Sequence, residues 1–361
     1  MIIHFSKLDF DIIHDDLSIL GEYEKKVAQF CKNWKNHCEF FEVSTSGSSG
    51  TPKTINIHRS QAQASVRLTQ KALNLEKNWN ILLCLSIDTI AGKMMAIRAI
   101  ELGMNLYVTN PSKNPFLEIS PSVVIDFVSF VPNQLIEILS NEFSKNRINL
   151  LKIILLGGAP IPEFLVEQIQ NILTPIYSSY GMTETVSHIG LRLLNTSQAE
   201  QTYHILPEIE VQLNENNCFK IRGKVTKDEW VNTSDVGEII NGTHLKILGR
   251  KDNVVNSGGI KIQIEEIEEI ISGIFKHQKI QSRFIITSIP DKILGESLIL
   301  IVEDSIWTEE NSNNLFQTIK SQCPKYKAPK AIYFIQQFIE TESQKIDRIK
   351  NKLTIESLYN F

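Results

Sequence analysis

The sequence predicts an α/β protein. A large N-terminal domain of mainly parallel α/β layers carries a small antiparallel β subdomain and is followed by a small mobile α+β C-terminal domain. Three observations lead there. Between residues 40 and 180, short β-rich runs alternate with longer helix-like ones, the pattern of a parallel sheet with helices on both faces. From Thr202 to Leu248 the texture changes to short strands with turn signals at Asn214 to Asn217 and at Asn241-Gly242. Past Lys251 a helical spacing resumes, and the stretch that remains is short enough to move as a body. With 361 residues and roughly 100–200 per domain, the expected division is 1–251 and 252–361.

The elements follow in order. FFEVST reads as a strand, RSQAQASVRLTQKALNL as a helix, NILLCLSI as a strand, AGKMMAIRAIEL as a helix and NLYVTN as a strand. After a polar stretch come strand-like VVIDFVSFV, helix-like PNQLIEILSNEF, strand-like LKIILLGG, helix-like PEFLVEQIQNIL and strand-like PIYSSYG. Ligands in such folds sit at the carboxyl ends of the strands. In the last unit Ile264, Ile267, Ile271 and Ile274 keep a helical spacing, with Glu265, Glu266, Glu268 and Glu269 early in the helix where they suit its dipole. Strand-like FIIT and SLILIV, a helix from Glu309 to Ser321, strand-like AIYFI and a basic helix from Ile346 to Leu358 complete the chain.

Composition excludes several function classes. The chain is 42% hydrophobic and 22% charged with a net charge of −4, and no dense Lys/Arg run supplies the basic face that nucleic acid requires. The longest apolar stretches, Ile81 to Ile87 and Leu150 to Leu156, fall far below the ~18–20 residues that cross a bilayer. The opening MIIHFSKLDFDIIHDD lacks the basic flank and apolar block of a secretory signal, so a cytoplasmic protein is expected. Five cysteines, odd in number and never in a CxxC pair, indicate neither a disulfide framework nor a zinc site. Oligomeric state is not legible.

Strand-like FFEV runs into Ser44-Thr45-Ser46-Gly47-Ser48-Ser49-Gly50-Thr51-Pro52-Lys53. Glycines free backbone amides to converge on a phosphate, while hydroxyls and one lysine add to them. The pattern fails GxxxxGK[ST], because Pro52 stands where that motif has its second glycine, so a Walker-type NTPase is disfavoured.

Further motifs follow this loop in a fixed order. They are LLGGAP (Leu155 to Pro160), YGMTET (Tyr180 to Thr185), TSDVGE (Thr233 to Glu238), GRKDNVVNSGGIKIQIEEIE (Gly249 to Glu268) and ESQKIDR (Glu342 to Arg348). On these motifs the chain resembles the adenylate-forming superfamily of acyl-CoA synthetases, luciferases and peptide-synthetase adenylation domains. The resemblance implies an ATP-dependent ligase working through an acyl-adenylate, with magnesium as cofactor, ATP and CoA as co-substrates and a small carboxylic acid as the third partner. Members are typically longer ahead of the phosphate loop, so it also implies an adenylation domain shortened at its N-terminus.

The same resemblance implies roles. Ser46, Gly47, Ser48, Ser49, Gly50, Thr51 and Lys53 would cradle phosphates. Gly157, Gly158 and Ala159 would meet one face of adenine, with Tyr180 opposite and Gly181 beside it. Thr183 would hold the α-phosphate, Glu184 magnesium, and Asp235 with Arg250 the ribose hydroxyls. Asp252 would be the hinge, Gly258, Gly259 and Lys261 would line the CoA tunnel, and Lys345 would be the catalytic cation bridging the acid and the ATP phosphates. Within the superfamily the chain is most similar to the o-succinylbenzoate-CoA ligases of menaquinone biosynthesis. That would make Arg192 the partner of a second carboxylate, with His188 and Thr89 in the acyl pocket and Ser129, Val131 and Pro132 on its wall. The residues alone leave His188 open between pocket and core, and Lys261 between tunnel and surface. Two departures stand out: Thr89 replaces the histidine common before x-x-Gly, and Gln344 replaces the glycine before the lysine, preceded by Glu340-Thr341-Glu342 rather than a Pro-Arg-Thr type sequence. The alternatives are another aryl- or acyl-CoA ligase, a stand-alone adenylation enzyme, and a degenerate nucleotide-binding protein.

Overall fold

The computed structural model describes residues 2–4, 11–12, 20–45, 53–304, 307–341 and 346–359. Strands Asn105–Val108, Asn80–Leu83, Phe127–Phe130, Ile153–Leu156 and Ile176–Gly181 lie side by side in that order and run parallel. Successive side chains of a strand point to opposite faces, so Ile81, Leu83, Phe127 and Leu155 enter one buried cluster and Leu82, Val128, Ile154 and Leu156 another. Helices Arg59–Leu73 and Ile90–Leu102 cover the first cluster, and Pro132–Ser140 with Glu163–Gln168 covers the second. Burial on both faces is why ILL and IILL carry no polar alternation.

The antiparallel unit is present but is not a separate sheet. Strand His188–Leu193 folds back on Ile176–Gly181, and Tyr203–Ile205, His244–Arg250, Val231–Ile240, Cys218–Arg222 and Glu210–Leu213 continue from it. With Ile2–His4 and Asp11–Ile12 on the far edge, the described residues form one 13-stranded mixed sheet.

Three local expectations shift. FFEVST is not a strand of the parallel sheet: Phe40–Thr45 pairs antiparallel with Lys53–His58, from Phe40 opposite His58 to Thr45 opposite Lys53, so the expected phosphate loop spans the tip of a hairpin. Residues 46–52 lie outside the described part. PNQLIEILSNEF breaks at Asn141, where extended backbone and a side-chain oxygen that accepts from the Ser144 amide at 3.1 Å start a new helix, Glu142–Ile148. The strand expected over VVIDFVSFV shortens to Phe127–Phe130, because the Asp126 carboxylate accepts from the Asn80 amide at 2.7 Å ahead of the ladder.

Beyond the single turn Lys251–Asn253 a second sheet begins. Ile260–Gln263, Val254–Ser257, Gly295–Glu303 and Phe284–Asp291 are antiparallel, and Ala331–Ile335 runs parallel to Gly295–Glu303. Helix Ile264–Gln278 buries Ile264, Ile267, Ile271 and Ile274 against this sheet, the face its spacing predicts. Glu309–Gln322 and Arg348–Tyr359 are the other helices described in this unit. Among the described residues no helix is long and apolar enough to cross a membrane.

Candidate active site

Asp235 and Arg250 face each other across neighbouring strands. Arg250 Nη1 donates to Asp235 Oδ1 at 2.9 Å, the Tyr180 hydroxyl donates to Asp235 Oδ2 at 2.8 Å, and Arg250 Nη2 donates to Asp252 Oδ2 at 3.2 Å. Burial, and then the charge of Asp235, hold the Tyr180 hydroxyl well above its usual range, so it stays a neutral donor. The chain of contacts leaves one carboxylate fixed by a phenol and a guanidinium, with further lone pairs to offer.

At Gly157 and Gly181 close packing leaves no room for a side chain. A Cβ on Gly157 would stand 2.5 Å from Ser179 Oγ, and one on Gly181 would stand 2.2 Å from the Ser187 carbonyl oxygen. Gly158 has φ +87°. Ala159 is half-buried next to it.

A cavity of about 220 Å³ opens at the carboxyl ends of the parallel strands, as expected for this topology. Thr89, Ser129, Val131, Gly157, Thr183 and His188 are among the residues that wall it. Thr89 caps helix Ile90–Leu102 by accepting from the Gly92 amide at 3.3 Å while donating to the Ser86 carbonyl at 2.7 Å. Thr183 and Glu184 sit in the one-turn helix Thr183–Thr185. Glu184 presents an exposed carboxylate beside Thr183, which suits magnesium, a cation that takes one or two carboxylates plus phosphate oxygens and water.

The turn that follows is strained. Val186 has φ 67° and ψ −48°, and the Ser187 amide donates to the Thr185 carbonyl at 2.7 Å, a γ-turn of the rare hand. A β-branched residue there costs on the order of 1–3 kcal/mol. Complete burial of Val186 beside Val66, Met94 and Ile97 offsets that cost and turns the chain so that His188 pairs back on Gly181.

Arg98, absent from the sequence expectations, reaches the same cavity from helix Ile90–Leu102. It is 2% exposed. Its Nη2 donates to Ser187 Oγ at 2.9 Å and its Nη1 to Met95 Sδ at 3.7 Å, while Nε has no partner. Among the described residues no carboxylate pairs with it. Burial lowers its guanidinium to about 10, which leaves it charged at neutral pH. A sequence signal exists: a single cation inside the otherwise apolar run MMAIRAI.

His188 is 4% exposed, with Nε2 at 3.1 Å from Thr69 Oγ1 and Nδ1 at 3.3 Å from Ser187 Oγ. Burial, and then the positive charge of Arg98, hold it well below 6.5, so it is neutral in the folded protein. The unfolded chain therefore binds one more proton below pH 6.5, and folding stability drops by about 1.4 kcal/mol per pH unit from this group on acidification and is flat above. His188→Asn should remove that component. Urea unfolding at pH 7 and pH 5 should show the wild type losing about 2 kcal/mol more than the variant; equal losses would mean that His188 protonates in the folded state.

Arg192 lies elsewhere. Its guanidinium stands 5.0 Å over the Tyr203 ring and Nη1 reaches the Gln201 carbonyl at 3.4 Å, and it is not part of the cavity wall. Gly258 and Gly259, at φ +58° and +83°, form the two-residue turn of the hairpin Val254–Ser257/Ile260–Gln263, with Lys261 exposed beside it. Asp252 is in the turn between the two sheets. Lys345, Ser46, Gly47, Ser48, Ser49, Gly50 and Thr51 lie outside the described residues, and of Lys53 only the backbone is described.

A family model described as "AMP-binding enzyme" matches residues 41–259. The 2-succinylbenzoate–CoA ligase of Lactococcus lactis is 26% identical over 323 residues, covering 85% of this chain and 69% of that one. The enzyme of the same name from Salmonella typhimurium is 27% identical, covering 85% and 67%. Among solved structures, an acyl-CoA synthetase (AMP-forming)/AMP-acid ligase II-like protein from Dyadobacter fermentans is 38% identical with a TM-score of 0.62, over 93% of this chain and 95% of that one. The o-succinylbenzoate coenzyme A synthetase of Bacillus subtilis in complex with ATP and magnesium shares the fold, at 21% identity and TM-score 0.69 over 86% and 69%.

Proposed function

The chain belongs to the AMP-binding enzyme family, and from that premise we propose that it is an AMP-forming acid–CoA ligase whose acid is o-succinylbenzoate. Two half reactions follow. A carboxylate oxygen of the acid attacks the α-phosphorus of ATP and the bond to the β-phosphate oxygen breaks, giving acyl-AMP and pyrophosphate. The CoA thiol then attacks the acyl carbon, releasing AMP and a proton and leaving the thioester.

The chain's own groups position these steps. Asp235, held by Tyr180 and Arg250, accepts from the ribose hydroxyls. The backbone from Gly157 to Ala159 would meet one face of adenine, with no side chain at Gly157 or Gly158 to intervene. Thr183, on the cavity wall, would offer its hydroxyl to the α-phosphate, and Glu184 would hold magnesium, which would neutralise phosphate charge. The hydroxyl-rich segment at the hairpin tip and Lys53 serve the outer phosphates. Residues 1–251 and 252–361 act as two bodies turning on Asp252, which brings first Lys345 and then the Gly258, Gly259 and Lys261 hairpin to the acyl group. The second sheet beginning at Val254 supports that division.

The observation that carries the substrate reading is Arg98: a buried cation on the cavity wall, paired with no carboxylate among the described residues, is matched by a second carboxylate on the acid. On this reading Arg98, rather than Arg192, meets that carboxylate. Pyrophosphate release across candidate acids, with and without CoA, tests it. o-Succinylbenzoate should turn over to the thioester with CoA present. If benzoates or fatty acids react and o-succinylbenzoate does not, the substrate is wrong; if adenylate accumulates but never becomes a CoA thioester, the chain loads another acceptor.

A further inference from the structure

Four polar side chains at the acyl cavity stand in single file. Arg98 Nη2 donates to Ser187 Oγ at 2.9 Å, Ser187 Oγ lies 3.3 Å from His188 Nδ1, His188 Nε2 lies 3.1 Å from Thr69 Oγ1, and Thr69 Oγ1 donates to the Ser65 carbonyl at 3.0 Å. Arg98, Ser187 and His188 belong to the cavity wall, whereas Thr69, on helix Arg59–Leu73, is fully buried and does not. The turn at Val186, strained as it is, sets Ser187 between the guanidinium and the imidazole. Among the described residues Ser187 Oγ is the only oxygen that accepts from Arg98.

Both ends of the file have a fixed direction, because a guanidinium has no acceptor and a carbonyl no donor. His188 between them is neutral, so one of its two ring nitrogens carries a proton and the other a lone pair. With the proton on Nε2 every contact is a hydrogen bond: Arg98 to Ser187, Ser187 to Nδ1, Nε2–H to Thr69 and Thr69 to Ser65. With the proton on Nδ1, Ser187 Oγ receives from both sides, its own proton has no partner in the file, and Thr69 must leave Ser65 to meet Nε2. One tautomer makes four bonds and the other three. A buried donor left unpaired carries its full desolvation cost. The charge of Arg98 favours the same choice, since the ring then turns a lone pair rather than a proton to the cation's side.

We infer that Thr69 and His188 are positioning residues for Arg98: they keep the Ser187 proton on the imidazole side and its oxygen on the guanidinium, and so hold the guanidinium with N–H groups to spare for an anion in the cavity. The inference rests on the reading of Arg98 as the partner of the second carboxylate. It makes selectivity for a dicarboxylic acid depend on Thr69, a side chain set away from the cavity wall.

Nitrogen NMR of the free protein reads the tautomer directly. Of the eight histidines, the one whose signals vanish in His188→Asn should show a protonated Nε2 and a bare Nδ1; the reverse would overturn the inference whatever the substrate. Thr69→Val removes the acceptor with little change of shape and should move the proton to Nδ1. The KM for o-succinylbenzoate should then rise about tenfold, the size of one lost hydrogen bond, with kcat and the KM for an aromatic monocarboxylic acid changed less than about twofold. Thr69→Ser, which keeps the hydroxyl, should restore both the tautomer and the KM. Adding Thr69→Val to Ser187→Ala should cost nothing further, since both act through one chain. Equal KM rises for the two acids, no rise, or additive losses would overturn the positioning role. A wild type that turns over no dicarboxylic acid would instead defeat the substrate reading. The Arg98 Nη signals then decide: they should be separately resolved in the wild type and averaged in Thr69→Val, and signals alike in both would overturn the inference.

Discussion

Lys345→Ala is expected to lower acyl-adenylate formation at least a hundredfold while leaving conversion of supplied acyl-adenylate and CoA to thioester within a factor of about two. In the first step negative charge builds on the oxygen leaving the α-phosphorus while an anionic carboxylate approaches an anionic phosphate. A cation held between them acts on charge that is greatest in the transition state, and losing one such group commonly costs a factor of about 10²–10³. In the second step charge develops on the acyl oxygen and on the departing phosphate, but on the two-body reading Lys345 has by then given way to the Gly258, Gly259 and Lys261 hairpin. ATP–pyrophosphate exchange and single-turnover thioester formation separate the two. Equal loss in both would show that one arrangement of the chain serves both steps.

Much of the fold was legible because it rests on local periodicity. Ile264, Ile267, Ile271 and Ile274 announce their helix face, and the helix Glu309–Gln322 falls within a residue of its expected end. What periodicity does not carry is partnership. FFEVST is strand-like wherever it pairs, and only tertiary structure decides that its partner is Lys53–His58. Asn141 breaks a helix through a side-chain bond to Ser144, a local competition that an apolar pattern cannot register. The candidate nucleotide corner was legible from motifs, although Tyr180 and Asp235 are 55 residues apart.

The acyl end was less so, for a reason visible in one strand. Even spacing would put His188 and Arg192 on one face. The ladder slips between His188 and Gly190, so that Gly190 rather than Ile189 lies opposite Tyr180 and the alternation is reset. His188 faces the cavity, while Arg192 lies over Tyr203. Arg98 was hidden differently: inside a helix that is apolar on nearly every side, nothing in the spacing distinguishes a buried functional cation from a snorkelling one.

Arg98→Met is therefore expected to lower kcat/KM for o-succinylbenzoate by roughly two to three and a half orders of magnitude, with the KM for ATP changed less than about threefold. Removing one member of a buried pair leaves the other charge uncompensated, at a cost of about 3–5 kcal/mol, and tenfold corresponds to 1.4 kcal/mol. The free protein should respond the opposite way. Among the described residues Arg98 has no carboxylate partner, and its buried Nε is unbonded, so an apolar side chain of similar length relieves desolvation, and the thermal midpoint should be unchanged or higher. An aromatic monocarboxylic acid lacking the second carboxylate should lose little or gain. Arg192→Ala is the control and should leave the preference between the two acids as it is. If Arg192→Ala abolished that preference and Arg98→Met merely unfolded the protein, the second carboxylate would belong beside Tyr203. A stable Arg98→Met protein that discriminates against the dicarboxylic acid would identify the buried guanidinium as a group whose folding cost is recovered only when substrate binds.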